Sequence, residues 1–159
     1  MNPEPRTPNS EHRPIRILRL IARLNIGGPA IHAILLTERL VPPAFESVLV
    51  TGRLEPGEGD MSDRLEGRPV RRIAVPSLRQ RLGLHDLAAW WRIFRIIRRE
   101  RPDIVHTHTA KAGALGRSAA VVHNALLWLG ARTLGRPVRR CRLVHTFHGH
   151  VLDGYFSAW

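Results

Sequence analysis

"RPDIVHTHTAKAGALGR", Arg101 to Arg117, is the stretch on which the fold turns. Pro102 stops the helix that precedes it, because the residue before a proline is pushed out of helical geometry. "DIVHTH" then reads as a short buried strand. "AKAGALGRSAAVVHNALLWLGA", Ala110 to Ala131, reads as an apolar helix rich in small residues. A strand running straight into a helix is half of a β-α-β unit, and the rest of the chain can be read outward from it.

Upstream, Leu84 to Arg101 has helical spacing, with an apolar face of Leu87, Trp90, Trp91, Phe94 and Ile97 and a basic tail of Arg95, Arg98, Arg99 and Arg101. "VRRIAVP" (Val70 to Pro76), "ESVLVT" (Glu46 to Thr51) and "IRILRLIA" (Ile15 to Ala22) read as strands. Gly52 to Pro69 is rich in glycine and acid and reads as a loop. Gly27-Gly28 break the first strand, Pro29 suits a first helical turn, and "AIHAILLTERL" (Ala30 to Leu40) is a helix stopped by "VPP". Downstream come a basic turn, "GRPVRRC", and a fifth strand, "RLVHTF".

The order β-α-β-loop-β-α-β-α-β predicts a parallel sheet with helices on both faces, a Rossmann-like α/β domain. Ligands of such sheets bind beyond the carboxyl ends of the strands. That rule gathers Gly27-Gly28, His106 to Lys111 and His148 to His150 on one edge. No helix covers the fifth strand, so residues 15–159 read as a domain incomplete at its C-terminus.

The totals agree with one domain: 159 residues, 43% hydrophobic and 24% charged. No apolar run approaches a membrane span. The first fourteen residues are polar and proline-rich, read as a disordered leader on a cytoplasmic protein. One cysteine, Cys141, excludes an internal disulfide framework and a cysteine-rich zinc site. A net charge of +12 calls for an anionic partner, although codon bias alone would also give an arginine excess. Lys111 is the only lysine among 25 basic residues, and an ammonium and a guanidinium are not equivalent.

Each candidate site has two readings. Gly27-Gly28 before a helix start admits an anion to free backbone N–H groups, or is an ordinary tight turn. Lys111 in a helical first turn is locally unfavourable and fits a bound anion. His106 reads best as a buried sheet histidine with a satisfied hydrogen bond, and His108 as functional. Small Ala112 and Gly113 would let that turn pack against the neighbouring strand loop. His148, just past the fifth strand, can donate to a substrate oxygen or share a proton near neutral pH. Imidazoles from His106, His108, His148 and His150 could instead hold a metal in a hydrolase, but no carboxylate lies within either cluster. A third reading is a basic, non-catalytic binder of nucleic acid or anionic lipid. The Trp-rich helix is a sheet cover or an interfacial membrane helix.

Taken in order, "NIGGPAIHAILLTERL", "PGEGDM", "RPDIVHTHTAKAGALGR" and "VHTFHGHVLDGYFS" resemble the N-terminal half of a family 4 glycosyltransferase, a retaining enzyme of two Rossmann-like domains (GT-B). The resemblance runs from about Ile15 to Ser157. It implies a nucleotide-sugar donor, a lipid-linked or polysaccharide acceptor, no metal or other cofactor, no nucleic acid, and work in the cytoplasm at the inner face of the membrane. It implies that Gly27 and Gly28 line a cleft near the donor phosphates and that His148 is the cleft histidine serving catalysis. His108, Lys111 and Gly113 would lie on the acceptor side. The family's C-terminal, donor-binding domain has no counterpart here, so the chain alone is expected to be inactive. Val121 to Arg142 looks longer than the family's usual helix and turn, as a surface insertion able to touch a membrane.

Overall fold

The computed structural model describes residues 13–135 and 139–148. The leader expected over residues 1–14 falls almost wholly outside them, as do His150 and the segment after it. The elements are β1 (Ile15–Ile21), α1 (Gly28–Arg39), β2 (Phe45–Thr51), a 3-10 turn (Ser62–Leu65), β3 (Arg71–Ala74), α2 (His85–Glu100), β4 (Ile104–His108), α3 (Ala110–Leu134) and β5 (Arg142–Thr146).

All five strands are parallel, in the order β3-β2-β1-β4-β5. Side chains alternate across β1. Leu18 and Leu20 pack with Ala89, Ile93, Phe94 and Ile97 of α2 and with Ala112, Ala119 and Ala120 of α3. Ile21, with Leu49 of β2, packs with Ala30, Ala33 and Ile34 of α1 and with Met61. The sheet is therefore covered on both faces, as expected of a Rossmann-like domain. The chain winds outward one way through β2 and β3 and the other way through β4 and β5, so the topological switch point lies between β1 and β4.

The small residues of α3 set its distance from the sheet. A Cβ on Gly116 would stand 2.5 Å from Leu20 Cδ2 and 2.8 Å from Thr107 Cγ2, closer than packed carbons tolerate. The helix does not stop where a surface insertion was expected: it continues unbroken to Leu134 and ends at Gly135, whose φ of 63° is a left-handed cap. Asn124 on that extension ties the far end down. Its side-chain amide donates to the Cys141 carbonyl and its oxygen accepts from the Cys141 N–H, both at 2.9 Å.

The apolar face expected of α2 is corrected in part. Phe94 and Ile97 are buried, but Trp91 and Leu87 are 54% and 71% exposed, and Ala89 and Ile93 take the inward places. Trp90 is half-buried, with its indole N–H donating to Ser118 Oγ of α3.

Candidate functional site

The first strand delivers Gly27-Gly28 to the switch point. α1 begins there with no side-chain cap and no acid in its first turn, leaving the positive end of the helix uncompensated among the described residues. A Cβ on Gly28 would meet nothing within 4 Å, and its φ is not in the left-handed region. Neither packing nor backbone geometry asks for glycine at position 28. What its absent side chain leaves is open access to the backbone.

β4 lies beside β1 and ends in His106, Thr107 and His108. His106 and His108 face the α1 side and Thr107 the α3 side. His106 is buried, with Nε2 2.8 Å from Thr146 Oγ1 of β5, and is a satisfied sheet histidine as expected. His108 is fully buried, and its Nδ1 lies 2.8 Å from Nε2 of His148. Burial, with the Arg19 guanidinium and the neighbouring imidazoles, pushes His106 down to about 4 and His108 to about 3. Burial also lowers His148, helped by His32 and His145. The three rings are thus neutral at pH 7 and can donate or accept a hydrogen bond there.

Two participants escaped the sequence reading. His32, on the second turn of α1, packs edge-on against both His108 and His148, at centroid distances of 5.5 and 5.3 Å. Potential ligand nitrogens of His32, His108 and His148 all lie within 4.8 Å of one another. The histidine group expected from sequence is corrected accordingly: His32 joins it, His106 is committed to Thr146, and His150 lies outside the described residues. The helical spacing of "AIHAILL" held the signal for His32, since it lies one turn beyond Gly28 on the crevice side. The second is Arg19. The alternation of "IRILRLI" gave it no special place, yet it is 1% exposed beneath the crevice. It donates to Thr37 Oγ1 at 2.9 Å, and burial lowers it to about 10. Among the described residues it pairs with no carboxylate.

Lys111 also receives a different partner from the one expected. Its Nζ sits 2.6 Å from Asp86 Oδ1 and donates to the Arg81 carbonyl at 2.5 Å. The charge that offsets an ammonium at the start of α3 is therefore a carboxylate from α2, and no bound anion is needed to explain it. Burial raises Asp86, but the bonds from Lys111 and the Gly83 N–H outweigh that and hold it below the usual carboxylate range. Gly113 is close-packed: a Cβ there would lie 2.6 Å from His145 Cε1. His145 in turn shares a 2.8 Å hydrogen bond with Thr107 Oγ1. Between β4 and α3, Thr109 has a φ of 68°, an uncommon and strained value for a β-branched residue, next to His108.

A second hollow opens at the same edge beyond β2 and β3, about 490 Å³ in volume, lined among others by Arg53, Asp60, Ser62 and Arg72. None of the candidate site residues borders it, although Asp60 belongs to the "PGEGDM" motif. No helix among the described residues is long and apolar enough to cross a membrane.

Comparison with known proteins agrees with this architecture. Residues 27–159 match the family described as a glycosyl transferase 4-like domain. Over 96 residues the chain is 33% identical to the Escherichia coli UDP-Gal:alpha-D-GlcNAc-diphosphoundecaprenol alpha-1,3-galactosyltransferase, covering 60% of this chain and 21% of that protein. Among solved structures, a Listeria monocytogenes protein described as a UDP-N-acetylglucosamine 2-epimerase superposes with a TM-score of 0.59 at 21% identity, over 84% of this chain and 31% of that one. The chain thus spans about a fifth of the relative's length and a third of the structural neighbour's. With the sheet order, the switch-point crevice and a family match over most of its length in agreement, the chain belongs to the glycosyl transferase 4-like family.

Proposed function

We propose that the chain is the acceptor-side part of a retaining glycosyltransferase that moves a sugar from a nucleotide-sugar to a lipid-linked or polysaccharide acceptor. The observation that carries this is the convergence, at one switch point, of the uncapped start of α1 after Gly27-Gly28 with His108 and His148. Backbone N–H groups at Gly28 and the field of buried Arg19 would stabilise phosphate charge as it develops on the leaving group. His148, held by His108, would donate to a hydroxyl of the transferred sugar and orient it. No metal enters this reading of the transfer. Lys111, held by Asp86, and Gly113, packed on His145, shape the acceptor wall of the crevice through the position of α3.

The E. coli relative's name pairs a UDP-linked sugar with a diphosphate-linked lipid, which supports a lipid-linked acceptor; on that reading the chain works at the inner face of the membrane. Exposed Leu87 and Trp91 beside Arg92, Arg95, Arg98 and Arg99 on α2, with exposed Leu126, Trp128 and Leu129 on α3, make a basic-apolar surface suited to peripheral contact with anionic lipid.

The test uses the 159-residue chain, UDP-galactose and a short prenyl-diphosphate-linked N-acetylglucosamine. The acceptor should bind, shifting the Lys111 and Gly113 amide resonances, while UDP-galactose should bind weakly at the Gly27 and Gly28 amides, and His148→Ala should weaken that donor contact about tenfold, the worth of one good hydrogen bond. No sugar should be transferred, because the donor site needs a second domain. Transfer by this chain alone would overturn the divided site, and absence of acceptor binding would overturn the reading itself.

A further inference from the structure

We propose that His32, His108 and His148 form a three-imidazole site for a divalent transition-metal ion such as Zn²⁺. The three rings come from α1, the end of β4 and the segment just past β5, and meet at one point of the crevice. Their centroids form a nearly equilateral triangle with sides of 5.1, 5.3 and 5.5 Å. Three imidazoles bound at about 2.0–2.1 Å to one tetrahedral ion would place their ring centroids roughly 5.2 Å apart, and their ligand nitrogens, now within 4.8 Å of one another, would close to roughly 3.3 Å.

The hydrogen bonding points the same way. Among the described residues, His32 Nδ1 is buried without a partner. Unpaired buried polar atoms are costly, and a ligand that draws the rings together offsets that cost. His108 is fully buried while His32 and His148 lie nearer the surface, so one ligand is fixed from below and the site opens toward solvent. In binding, one nitrogen of each ring gives its lone pair to the ion. The 2.8 Å contact between His108 Nδ1 and His148 Nε2 widens to roughly 3.3 Å, and the proton between them is exchanged to the other nitrogen of its own ring, so that each imidazole binds neutral. A set of imidazoles with no carboxylate selects zinc, cobalt, nickel or copper over magnesium and calcium. Three protein ligands leave the fourth position to water or an anion.

An ion held there occupies the edge of His148 that the proposed function assigns to the sugar, so on that reading the metal-loaded state opposes transfer. The binding test stands apart from that reading because it uses the metal alone. Untagged chain, stripped with chelator, is titrated with Zn²⁺ by calorimetry and with Co²⁺ by visible absorption. We expect one ion per chain and the intense absorption of tetrahedral cobalt. His32→Ala and His148→Ala, each checked for folding by circular dichroism, should each weaken binding by at least about 10–100-fold, while His85→Ala leaves it unchanged. Absence of stoichiometric binding by the unsubstituted chain, or binding that survives both substitutions, would overturn the site.

Discussion

Nδ1 of His108, at the buried end of β4, lies 2.8 Å from Nε2 of His148, just beyond β5. With both rings neutral, one nitrogen donates and the other accepts, so the orientation of the crevice histidine is set by a residue wholly inside the fold. His108 is in this sense a positioning residue. Replacing it by Phe, in chelator, keeps a ring and removes the bond. Affinity for UDP-galactose should fall about tenfold, as for His148→Ala, and the double variant should be little worse than either single one. Independent, additive losses in titrations of the four proteins would show that the pair does not act as a unit.

Lys111 and Asp86 join α3 to α2 across largely enclosed side chains. Lys111→Met should lower stability by about 1–2 kcal/mol, between an exposed pair and a buried one, and Asp86→Asn should do much the same. Urea midpoints would measure both. A Lys111→Met protein of unchanged stability but lost acceptor binding would mean that the ammonium touches the ligand after all.

Gly113→Ala puts a methyl group 2.6 Å from the His145 ring. Both backbones are held, in α3 and β5, so the ring must move and its bond to Thr107 must stretch. A loss of about 1–3 kcal/mol in thermal or urea unfolding is expected. Gly28→Ala, with open space around it, should cost far less stability and act on anion binding.

Asp103 accepts from the Arg16 N–H at 3.0 Å and is paired with Arg13 and Arg139. Burial raises its pKa, but these bonds and charges prevail and the net direction is downward. A carboxylate whose folded pKa is depressed gives stability that is present above its unfolded value, about 3.9, and is lost as pH falls through the folded value. Asp103→Asn should therefore be about 1–2 kcal/mol less stable than the unsubstituted chain at pH 7, both arginines being well exposed. The gap should close in strong acid. A gap independent of pH between 7 and 2 would show that the charge of Asp103 contributes nothing.

The outer face of α2 and α3 should bind vesicles containing anionic lipid and release them as salt is raised. Reversing Arg95 and Arg98 to Glu should abolish flotation with the vesicles, and Trp91→Ala should weaken it without affecting the fold, since Trp91 is 54% exposed. Binding that is insensitive to these changes would assign the contact elsewhere.

Much of this was legible without coordinates, for reasons that differ between residues. His106 could be read as a satisfied sheet histidine because a strand covered on both faces has no other use for an imidazole at that place. His148 and Gly28 could be placed at the ligand edge because every parallel strand ends there. The ion-pair partner of Lys111 was not legible because Asp86 lies on another helix 25 positions away. Trp91 was misjudged because helical spacing defines a stripe but not its edge. Here α3 lies against α2, and that packing decides which flank of the stripe is covered.

The sequence by itself determined the succession of strands and helices, the two-sided sheet and the edge at which the strands' carboxyl ends gather, since these follow from local periodicity and from the chirality and short reach of parallel connections. Only the tertiary structure decided the order β3-β2-β1-β4-β5, which brings the ends of β1 and β4 together. It also decided that His32 from α1 joins His108 and His148, and that Arg19 lies buried beneath them. Those meetings depend on which face each helix covers and how closely α3 approaches the sheet, properties of packing between distant segments that no single stretch of chain carries.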